Sequence, residues 1–596
     1  MSYDSSRYRD YFEHSLTYAS GFSRNVARYA DNVALADPPS GREWTYAQLG
    51  QAVDSVARAL AERGVGRGDR VLYQLYNGVE FALLYLATQR LGAVSVPVNY
   101  RLAPAETAHI LRDSDPAVYV VDAEHTESAA RALELAEVSP VVLVAGGDGA
   151  ADWGMGSGHL GQDFDAAVDA AAGDLPDLSG QLSTFEESTR FYTSGTTGMP
   201  KGVPLPSIAE LMSAHDVIMH FPLTPSDRTL NMTPWFHRGG LHSGGPNPVF
   251  YIGGSVVPLR SFNPATVLDW VGEQGLTYLI GAPTTLEMIA AEQEKNPRDL
   301  GTLRGIVTMG APLDRAAAIR YQQLLTPRIF NGYGTTEGFW NTFLRPEDLP
   351  AHAGSAGRAC TDDDVAVVRV FEGRRARPDE LVARDGSEIG EVIMRSPKSG
   401  FSYANLPQVE EEKFHDGWLY PGDMATWDAE GYVTIMGRTD DMIISGGENV
   451  HPVQVEAALA DHPGVLDSVV VGVPDDQWGQ RVVAYVVRRD EDVDAAGLDM
   501  FCREHPGLAD FKRPRGYRFV DELPMTATGK KMHYKVADSA AQDWLDGRMH
   551  IPGATPTTPA GAAGAAEKAR AAGAATPAGA AAPSPSGAAE KAPTDG

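Results

Sequence analysis

Cysteine is nearly absent from this sequence, and no long uninterrupted apolar run occurs in it. The two cysteines, Cys360 and Cys502, lie far apart, which excludes a disulfide framework and a zinc-finger spacing and is typical of a reducing compartment. Residues 1–16 are polar and mixed in charge, so they lack the apolar centre of a signal peptide. The most apolar window, 79–98, contains charged side chains and indicates a helix followed by a strand rather than a membrane span. We therefore expect a cytoplasmic protein without stable membrane insertion.

Basic residues are also scarce relative to acidic ones. The 50 Lys and Arg residues against 79 Asp and Glu residues give a net charge of −29, which favours solubility and repels polyphosphate backbones. We therefore expect no nucleic-acid partner, although a small anion can bind wherever basic groups are concentrated. The 596 residues exceed what one hydrophobic core usually organises, so two or more domains are expected.

Helical and strand patterns alternate along the first part of the chain. Thr45 is placed to cap a helix in which Val53, Val56, Ala57 and Leu60 recur at helical spacing. Further runs alternate between strand-like and helical patterns, at 70–76, 79–91, 93–98, 103–114 and 117–121. This alternation predicts an α/β fold with a large, multilayered N-terminal domain built of α/β subdomains.

The C-terminal part has a different organisation. A helical run at 452–459 and strand-like runs at 465–473 and 481–487 predict a small, mobile α+β domain. The last residues are almost wholly Ala, Gly, Pro, Ser and Thr, a composition that cannot offset its ordering entropy. We therefore assign three parts to the chain: a large N-terminal domain, a small C-terminal domain and a disordered tail, at 1–437, 438–552 and 553–596.

The most specific local pattern is YTSGTTGMPKGV at residues 192–203. Its glycines, Gly195, Gly198 and Gly202, permit close backbone approach, while its hydroxyls and Lys201 supply donors for phosphate oxygens. It is not a Walker A loop, because Pro200 stands where that pattern needs its second glycine. A flexible surface loop rich in Gly and Thr is the alternative, and so specific a string disfavours it.

Four further motifs follow in order: NGYGTTEG, YPGD, GRTDDMIISGGENVHP and PMTATGK, at 331–338, 420–423, 437–452 and 524–530. Together with the phosphate loop they resemble the core motifs of the adenylate-forming superfamily, which includes acyl-CoA synthetases, peptide-synthetase adenylation domains and firefly luciferase. The resemblance covers about residues 46–536. It implies that ATP and an acid form an acyl-adenylate, which is the mixed anhydride of the acid and AMP, with release of pyrophosphate and with the help of Mg²⁺.

The resemblance also implies roles for single residues. The attack of a carboxylate on the α-phosphorus brings anions together, so the site must neutralise charge. Lys530 would bridge the acyl carboxylate and the α-phosphate, and Glu337 would hold Mg²⁺, a hard cation suited to carboxylate oxygens. The implied catalytic residues are Lys530, Thr193, Thr197, Lys201, Glu337 and His237.

For the nucleotide, the resemblance implies that Tyr333 stacks on adenine, Thr336 donates to the α-phosphate and Asp423 accepts from both ribose hydroxyls. The implied nucleotide-binding residues are Ser194, Gly195, Thr196, Gly198, Gly310, Ala311, Pro312, Asn331, Tyr333, Gly334, Thr335, Thr336, Asp423 and Arg438. Taken singly, several of these side chains would be ordinary exposed or turn-forming residues.

The second half-reaction requires coenzyme A. In the family the small domain rotates about a hinge, here at Asp440, which opens a path for the pantetheine arm. Three cations within 511–515 and an isolated tryptophan are similar to the nucleotide-binding surface of bacterial aryl-CoA ligases. The expected contacts for coenzyme A are Gly446, Gly447, Trp478, Arg513 and Arg515. A solvated basic turn and a core tryptophan are the alternative.

The run PWFHRGGLH at 234–242 is expected to line the acyl site, with His237 in the position of the family's gating residue. Arg238 is unusual there, and we expect it to pair with a neighbouring carboxylate or, less favoured, with a polar group of the substrate. His237 and His242 have no acidic partner nearby in the sequence, so a metal site is not expected between them.

Three positions depart from the family pattern, namely Pro206-Ser207, Met309 and Pro421. Met309 stands where a glycine is common, close to the expected base pocket, and its long side chain is expected to narrow the adenine site. Adenylate formation is the step that such a change would affect. A half-enzyme that forms thioesters from a supplied acyl-adenylate is therefore an alternative.

The sequence thus predicts an enzyme: an acyl-CoA ligase that joins a hydrophobic or aryl carboxylic acid to coenzyme A. ATP, AMP in the acyl-adenylate, Mg²⁺ and coenzyme A are the expected cofactors, and a homodimer is compatible with the sequence. An acyl-AMP ligase that loads a carrier protein, a luciferase-type oxygenase and a catalytically silent binding protein are further alternatives. Retention of Lys201, Glu337, Asp423 and Lys530 together argues against the silent protein.

Overall fold

The computed structural model of the protein describes most of the chain. The described ranges are 4–146, 160–178, 180–193, 199–311, 313–371, 373–438, 441–445, 448–475, 478–505, 508, 510–525 and 531–552. Several residues singled out by the sequence lie outside these ranges: Ser194, Gly195, Thr196, Thr197, Gly198, Pro312, Asp440, Gly446, Gly447, Lys530 and the tail 553–596.

The α-helices are distributed over the whole described chain. In chain order they are α1 (Ser6–His14), α2 (Tyr18–Arg28), α3 (Tyr46–Glu62), α4 (Val79–Leu91), α5 (Pro104–Ser114), α6 (Thr126–Ala136), α7 (Phe164–Asp169), α8 (Ser207–His220), α9 (Arg238–His242), α10 (Pro246–Ile252), α11 (Pro264–Glu273), α12 (Pro283–Lys295), α13 (Arg315–Leu324), α14 (Pro407–Lys413), α15 (Pro452–Ala460), α16 (Ala495–Glu504) and α17 (His533–Leu545).

The strands belong to four sheets. In chain order they are β1 (Val33–Asp37), β2 (Arg42–Thr45), β3 (Arg70–Gln74), β4 (Val94–Pro97), β5 (Val118–Asp122), β6 (Val141–Ala145), β7 (Gln162–Asp163), β8 (Glu187–Thr193), β9 (Lys201–Pro206), β10 (Arg228–Asn231), β11 (Ser255–Val256), β12 (Tyr278–Gly281), β13 (Gly305–Met309), β14 (Ile329–Thr335), β15 (Phe339–Leu344), β16 (Arg358–Ala359), β17 (Asp364–Val368), β18 (Gly390–Arg395), β19 (Phe414–His415), β20 (Trp418–Leu419), β21 (Asp423–Trp427), β22 (Val433–Arg438), β23 (Ile443–Ser445), β24 (Glu448–Val450), β25 (Val465–Asp475), β26 (Gly479–Arg488) and β27 (Tyr517–Phe519).

Local sequence explains helix α3 directly. The Thr45 side chain accepts a hydrogen bond from the Gln48 amide, and the Gln48 side chain accepts one from the Thr45 amide, which forms a capping box. The predicted apolar stripe along this helix is buried, with Leu60 fully enclosed. The sequence prediction of this helix is therefore confirmed.

The described chain forms two compact units. The first comprises the described parts of Met1–Met442, His451–Ala457 and Pro524–Tyr534, and the second those of Ile443–Val450, Ala458–Leu523 and Lys535–Gly596. No described helix is both long and apolar enough to cross a bilayer.

Unit 1 contains three sheets. The seven-stranded sheet has the order β7-β6-β5-β3-β4-β8-β9, and only the β8–β9 pair is antiparallel. The nine-stranded sheet has the order β16-β15-β14-β13-β12-β10-β11-β1-β2, with a parallel centre and antiparallel edges. The third sheet, β17 to β22, is antiparallel throughout. Helices interleaved with the two large sheets make this the predicted multilayered α/β domain.

Unit 2 is built on β26, which pairs antiparallel with β23 and β25 and parallel with β27. Helix α16 and most of α17 belong to the same unit. A single sheet with helices is the α+β arrangement that the C-terminal patterns predict. The fold class is thereby confirmed for both parts of the chain.

Candidate active site

Two parallel strands of the nine-stranded sheet place expected nucleotide-binding residues side by side. The register pairs Met309, the last residue of β13, with Gly332 of β14. Gly310 follows β13 with a φ of 86°, a left-handed conformation that favours glycine, and so lies near Tyr333. The carboxyl edge of parallel strands is where α/β proteins generally bind their ligands.

Tyr333 and Arg438 both contact the Asp423 carboxylate. The Tyr333 hydroxyl donates to Asp423 Oδ2 at 2.6 Å, and Arg438 NH1 lies 3.2 Å from Asp423 Oδ1. Burial, together with the Asp423 charge, raises the pKa of Tyr333 well above its ordinary value, so the phenol remains a donor. Residues from three motifs are thus brought together, with both oxygens of Asp423 held in place.

Glu337 lies in the turn of the β14–β15 hairpin. Its Oε1 accepts a hydrogen bond of 2.6 Å from the hydroxyl of Tyr403. The hairpin is tight, because a Cβ on Gly334 would lie 1.4 Å from the carbonyl oxygen of Phe339. Glycine at 334 is therefore needed to place Glu337, and Tyr403 fixes the orientation of its carboxylate.

The phosphate loop connects two antiparallel strands, β8 and β9. Thr193 pairs directly with Lys201, and both residues are half-buried, so the residues between them form the connection of a hairpin. His109 from α5 bonds the Pro200 carbonyl through Nε2 at 3.0 Å, which anchors one end of the loop. Thr193 and Lys201 therefore lie opposite each other at the ends of β8 and β9, where the phosphate loop begins and ends.

Arg238 is almost completely buried, with 2% of its surface exposed. NH1 donates to the Thr336 carbonyl at 2.6 Å, and NH2 donates to the Lys398 carbonyl at 2.6 Å and to Ser213 Oγ at 3.2 Å. Burial lowers the pKa of Arg238 to about 10, which leaves it charged at neutral pH. The expectation of a carboxylate partner is wrong, since the guanidinium bonds main-chain carbonyls of two segments.

The expected acyl run surrounds the start of α9. His237 precedes this helix, is half-buried and lies 4.5 Å from the ring of Phe236, while Trp235 and Phe236 are buried. A Cβ placed on Gly239 would lie 3.0 Å from the sulfur of Met309. Met309 therefore packs against the acyl run, a neighbour that the sequence did not indicate.

His242 has an acidic partner from a distant helix. Its Nε2 lies 2.8 Å from Glu210 Oε2, and this oxygen also accepts from Tyr85 and Asn247. Burial alone would raise the pKa of Glu210, but His242 and these donors outweigh it and lower the pKa. This buried pair holds α8 and α9 together behind the acyl run.

A second buried group on α8 has metal-ligand side chains but does not suit a metal. Asp216, His220 and Cys360 lie within 4.8 Å of one another. His220 Nδ1 accepts from Arg345 at 2.9 Å, and Nε2 lies 3.4 Å from the amide nitrogen of Thr361, so both ring nitrogens already have partners within the protein. The Lys398 ammonium lies 3.0 Å from Asp216 Oδ2 and supplies the positive charge.

The expected coenzyme A residues lie in unit 2. Trp478 is 49% exposed, and Arg515 is half-buried with NH2 donating to the Asp510 carbonyl at 3.1 Å. Arg513 is buried and paired with Asp499 and Asp510, which commits its guanidinium within the unit. The side chains of Trp478 and Arg515 are therefore exposed enough to contact a ligand. Arg513, in contrast, belongs to a buried ion pair of the kind that stabilises a fold.

The remaining expected residues occupy unremarkable positions. Asn331 is buried on β14 opposite Thr308, and the Thr335 hydroxyl accepts from the Gly338 amide at 3.1 Å. Ala311 is half-buried after β13. Sequence analysis missed Tyr403, which is 66 positions from Glu337 and belongs to none of the five motifs, so no local pattern points to it.

Family comparisons agree with this arrangement. The family described as AMP-binding enzyme matches residues 22–403, and that described as AMP-binding enzyme C-terminal domain matches residues 454–530. The chain belongs to this adenylate-forming family. The two matches together span the phosphate loop, the β14–β15 hairpin and the lysine loop.

Several similar proteins are CoA ligases by name. The feruloyl-CoA synthase of an Amycolatopsis species is 33% identical over 499 residues, which are 83% of this chain and 94% of that protein. A long-chain-fatty-acid–CoA ligase of Mycobacterium tuberculosis is 32% identical over 504 residues, 83% of this chain and 93% of that protein. The structure of an anthranilate CoA ligase in complex with anthranoyl-AMP has a TM-score of 0.77 at 28% identity and covers 88% of this chain and 97% of that chain.

The protein is an AMP-forming acid–thiol ligase, which joins a carboxylic acid to coenzyme A through an acyl-adenylate. The side chains present fit its substrates and Mg²⁺. Asp423 has two oxygens for paired hydroxyl donors, and the half-buried Glu337 has a second carboxylate oxygen beyond the one bonded by Tyr403.

Proposed function

We propose that the acid is hydrophobic or aryl. This proposal rests on one observation: the Arg238 guanidinium donates hydrogen bonds to the main-chain carbonyls of Thr336 and Lys398. It therefore does not serve a polar group on the acyl chain. Around it, Trp235, Phe236 and the sulfur of Met309 supply buried apolar surface, which favours an aromatic or aliphatic acyl group.

Three relatives reported above are compatible with this substrate class without selecting a member of it. Their names assign them ferulate, long-chain fatty acids and anthranilate, and each of these acids has an aromatic or aliphatic body. Apolar surroundings alone do not distinguish between these acids, so only direct measurement selects the acid.

In the first half-reaction, Lys201 and Lys530 neutralise charge as the carboxylate attacks the α-phosphorus and pyrophosphate leaves. Asp423 exchanges its bonds to Tyr333 and Arg438 for the ribose hydroxyls. Glu337 would hold Mg²⁺, and the ion would supply positive charge to screen the phosphates. Thr193 and Thr197 donate to phosphate oxygens, as do the main-chain amides of the loop.

In the second half-reaction, residues 438–552 act as a small domain that moves about Asp440, and the thiol attacks the acyl carbon as AMP leaves. Gly446 and Gly447 leave room for the pantetheine arm, and His237 gates the acyl site. Trp478 and Arg515 contact the nucleotide of coenzyme A, because both retain surface in unit 2. We place the enzyme in the cytoplasm, and a homodimer is compatible with these assignments.

The test is a panel of acids offered with ATP, Mg²⁺ and coenzyme A. Ferulate, anthranilate and dodecanoate represent the proposed class, and malonate and alanine represent polar acids. Pyrophosphate release and mass spectrometry of adenylate and thioester report the two half-reactions separately. We expect at least one apolar acid to yield both products, and Met309→Gly to shift the preference towards bulkier acids.

Turnover of malonate or alanine above every apolar acid would refute the proposed substrate class while leaving the ligase reaction intact. Adenylate formation without thioester for every acid would instead favour transfer to a carrier protein. The two readouts therefore separate an error in the substrate from an error in the acceptor.

A further inference from the structure

Unit 1 contains a cavity of about 440 Å³ at the end of β21 remote from Asp423. Trp427, the last residue of this strand, lines the cavity, four residues beyond Asp423 and hence about 13 Å along the strand at roughly 3.3 Å per residue. The volume lies within the usual range for small-molecule sites. The lining includes exposed side chains, among them Arg358 and Arg384, so the cavity opens to solvent.

Three arginines, Arg345, Arg358 and Arg384, line this cavity in a protein whose net charge is −29. Arg384 lies over the Trp427 ring at 4.1 Å, and Arg358 lies over the Tyr432 ring at 4.8 Å. Stacking on a ring orients a guanidinium without using its N–H donors. Within the described ranges, neither Arg345 nor Arg384 has an ion pair with a carboxylate.

Arg345 is held from behind by a buried histidine. Its NH2 donates to Nδ1 of His220 at 2.9 Å, and His220 is 4% exposed. The other ring nitrogen, Nε2, lies 3.2 Å from Asp216 Oδ1 and 3.4 Å from the amide nitrogen of Thr361, so the ring is held on both sides. Asp216 is in turn paired with the buried Lys398. The guanidinium is therefore fixed before any ligand arrives.

The lining also contains three acidic residues, Glu347, Asp348 and Glu430, so its formal charge is balanced, and the contacts of these carboxylates decide which arginines stay unpaired. The Asp348 oxygens accept from the Tyr432 hydroxyl at 2.7 Å and from the Arg345 amide at 2.8 Å. Arg358 lies 3.9 Å from the same carboxylate. Glu347 and Glu430 are exposed, where water screens them. Asp348 is thus shared by Arg358, Tyr432 and a main-chain amide, and the guanidinium groups of Arg345 and Arg384 are left without a carboxylate partner among the described residues.

We propose that this cavity binds a small organic oxyanion, a phosphate monoester or a dicarboxylate, at a site separate from the catalytic one. Guanidinium groups bind the planar edge of such anions through paired N–H donors, and two of them converge here without acidic partners. Ring stacking and the His220 bond fix the three guanidinium groups in advance, which lowers the entropy lost on binding.

The test is calorimetric titration of the full chain with methyl phosphate and, separately, with succinate. The catalytic site is first saturated with 5′-O-sulfamoyladenosine, which has no phosphate, so that anion binding at that site does not contribute to the measured heat. We compare the wild type with Arg345→Gln and Arg384→Gln. Arg131→Gln, on the exposed face of α6, is the matched control because it removes the same charge elsewhere in unit 1.

We expect saturable one-to-one binding of at least one probe, weakened about tenfold or more in both cavity variants and unchanged in the control. Binding of methyl phosphate alone assigns a phosphate ligand, and binding of succinate alone assigns a dicarboxylate. Binding of neither probe to the wild type would overturn the proposal, as would equal affinity in wild type and Arg384→Gln. Because Arg384 is exposed, that variant is expected to fold even if loss of the Arg345 contact disturbs the interior.

Discussion

At the residue scale, two side chains hold the loop that carries Thr336 and Glu337, one through a side chain and the other through the main chain. Tyr403 bonds the Glu337 carboxylate, and Arg238 bonds the Thr336 carbonyl. Both contacts join segments far apart in the sequence. The geometry of this loop therefore depends on tertiary contacts as well as on the hairpin that contains it.

Replacing Tyr403 by phenylalanine should weaken the hold of the site on Mg²⁺. The change removes the hydroxyl that orients Glu337, and a hydrogen bond to a charged group contributes about 1.5–3 kcal/mol, so the rate of pyrophosphate release at limiting Mg²⁺ should fall about tenfold. Tyr485→Phe, which removes the same type of bond to Asp543 in unit 2, is the control. Equal Mg²⁺ dependence in wild type and Tyr403→Phe would exclude this role.

Arg238→Lys should slow adenylate formation while leaving thioester formation from supplied adenylate nearly intact. A lysine keeps the charge but cannot reach both the Thr336 and Lys398 carbonyls in the planar geometry of a guanidinium, and we expect a loss of about tenfold to a hundredfold. Ser213→Ala removes only the side-chain contact and should behave like wild type. If both half-reactions and the melting temperature fall together, Arg238 is merely structural.

At the element scale, helix α15 is tied to the chain that follows the lysine loop. Glu456 accepts from His533 Nε2 at 2.6 Å and lies 3.2 Å from the Lys531 ammonium, and all three residues belong to unit 1. Met525 and Lys531 form an antiparallel bridge. The five residues between them, which include Lys530, therefore start and end at neighbouring points.

This contact should make stability depend on pH. Burial alone would lower the pKa of His533, but the hydrogen bond and charge of Glu456 outweigh it and raise the pKa. A raised folded-state pKa contributes stability that is complete below the unfolded value of about 6.5 and is lost as pH rises through the folded value. The melting temperature of wild type should therefore exceed that of Glu456→Gln by more at pH 6 than at pH 9. A constant difference would contradict this assignment, and His533→Asn should abolish the pH dependence.

Local elements were the part that the sequence predicted well. The cap and the apolar stripe of α3 depend on neighbours a few positions away, so periodicity and capping chemistry reveal them. The carbonyl partners of Arg238 and the Met309–Gly239 contact depend on how separate elements pack. No pattern in a single sequence encodes such a contact, which is why both expectations about these side chains missed their partners.

At the scale of the whole molecule, the two half-reactions should respond to different residues. If the Lys530 ammonium neutralises charge only during acid activation, as we propose, Lys530→Ala should abolish adenylate formation and largely spare thioester formation from supplied adenylate. A loss of about 10²- to 10³-fold is expected by comparison with the removal of one oxyanion donor. Single-turnover rates of each half-reaction are the measurement. An equal loss in both would contradict the assignment.

Two arginines of unit 2, Arg513 and Arg515, should affect different properties of the enzyme when they are replaced. Arg515→Ala should raise the KM for coenzyme A, more at low salt, with little change in the KM for ATP. Arg513→Ala breaks a buried pair with Asp499 and should destabilise the unit by about 3 kcal/mol. Thermal unfolding and coenzyme A kinetics on both variants separate the effects. Equal melting temperatures would refute the structural role of Arg513.

The double carbonyl contact of Arg238 has a consequence for directed evolution of acid preference. Saturation libraries usually randomise every residue of a pocket wall, and position 238 would be included by its place in the run. Here it shares no polar chemistry with the acid and holds two main-chain segments, so its variants would be lost as inactive clones. A library restricted to Trp235, Phe236 and Met309 should retain a much larger active fraction at the same size.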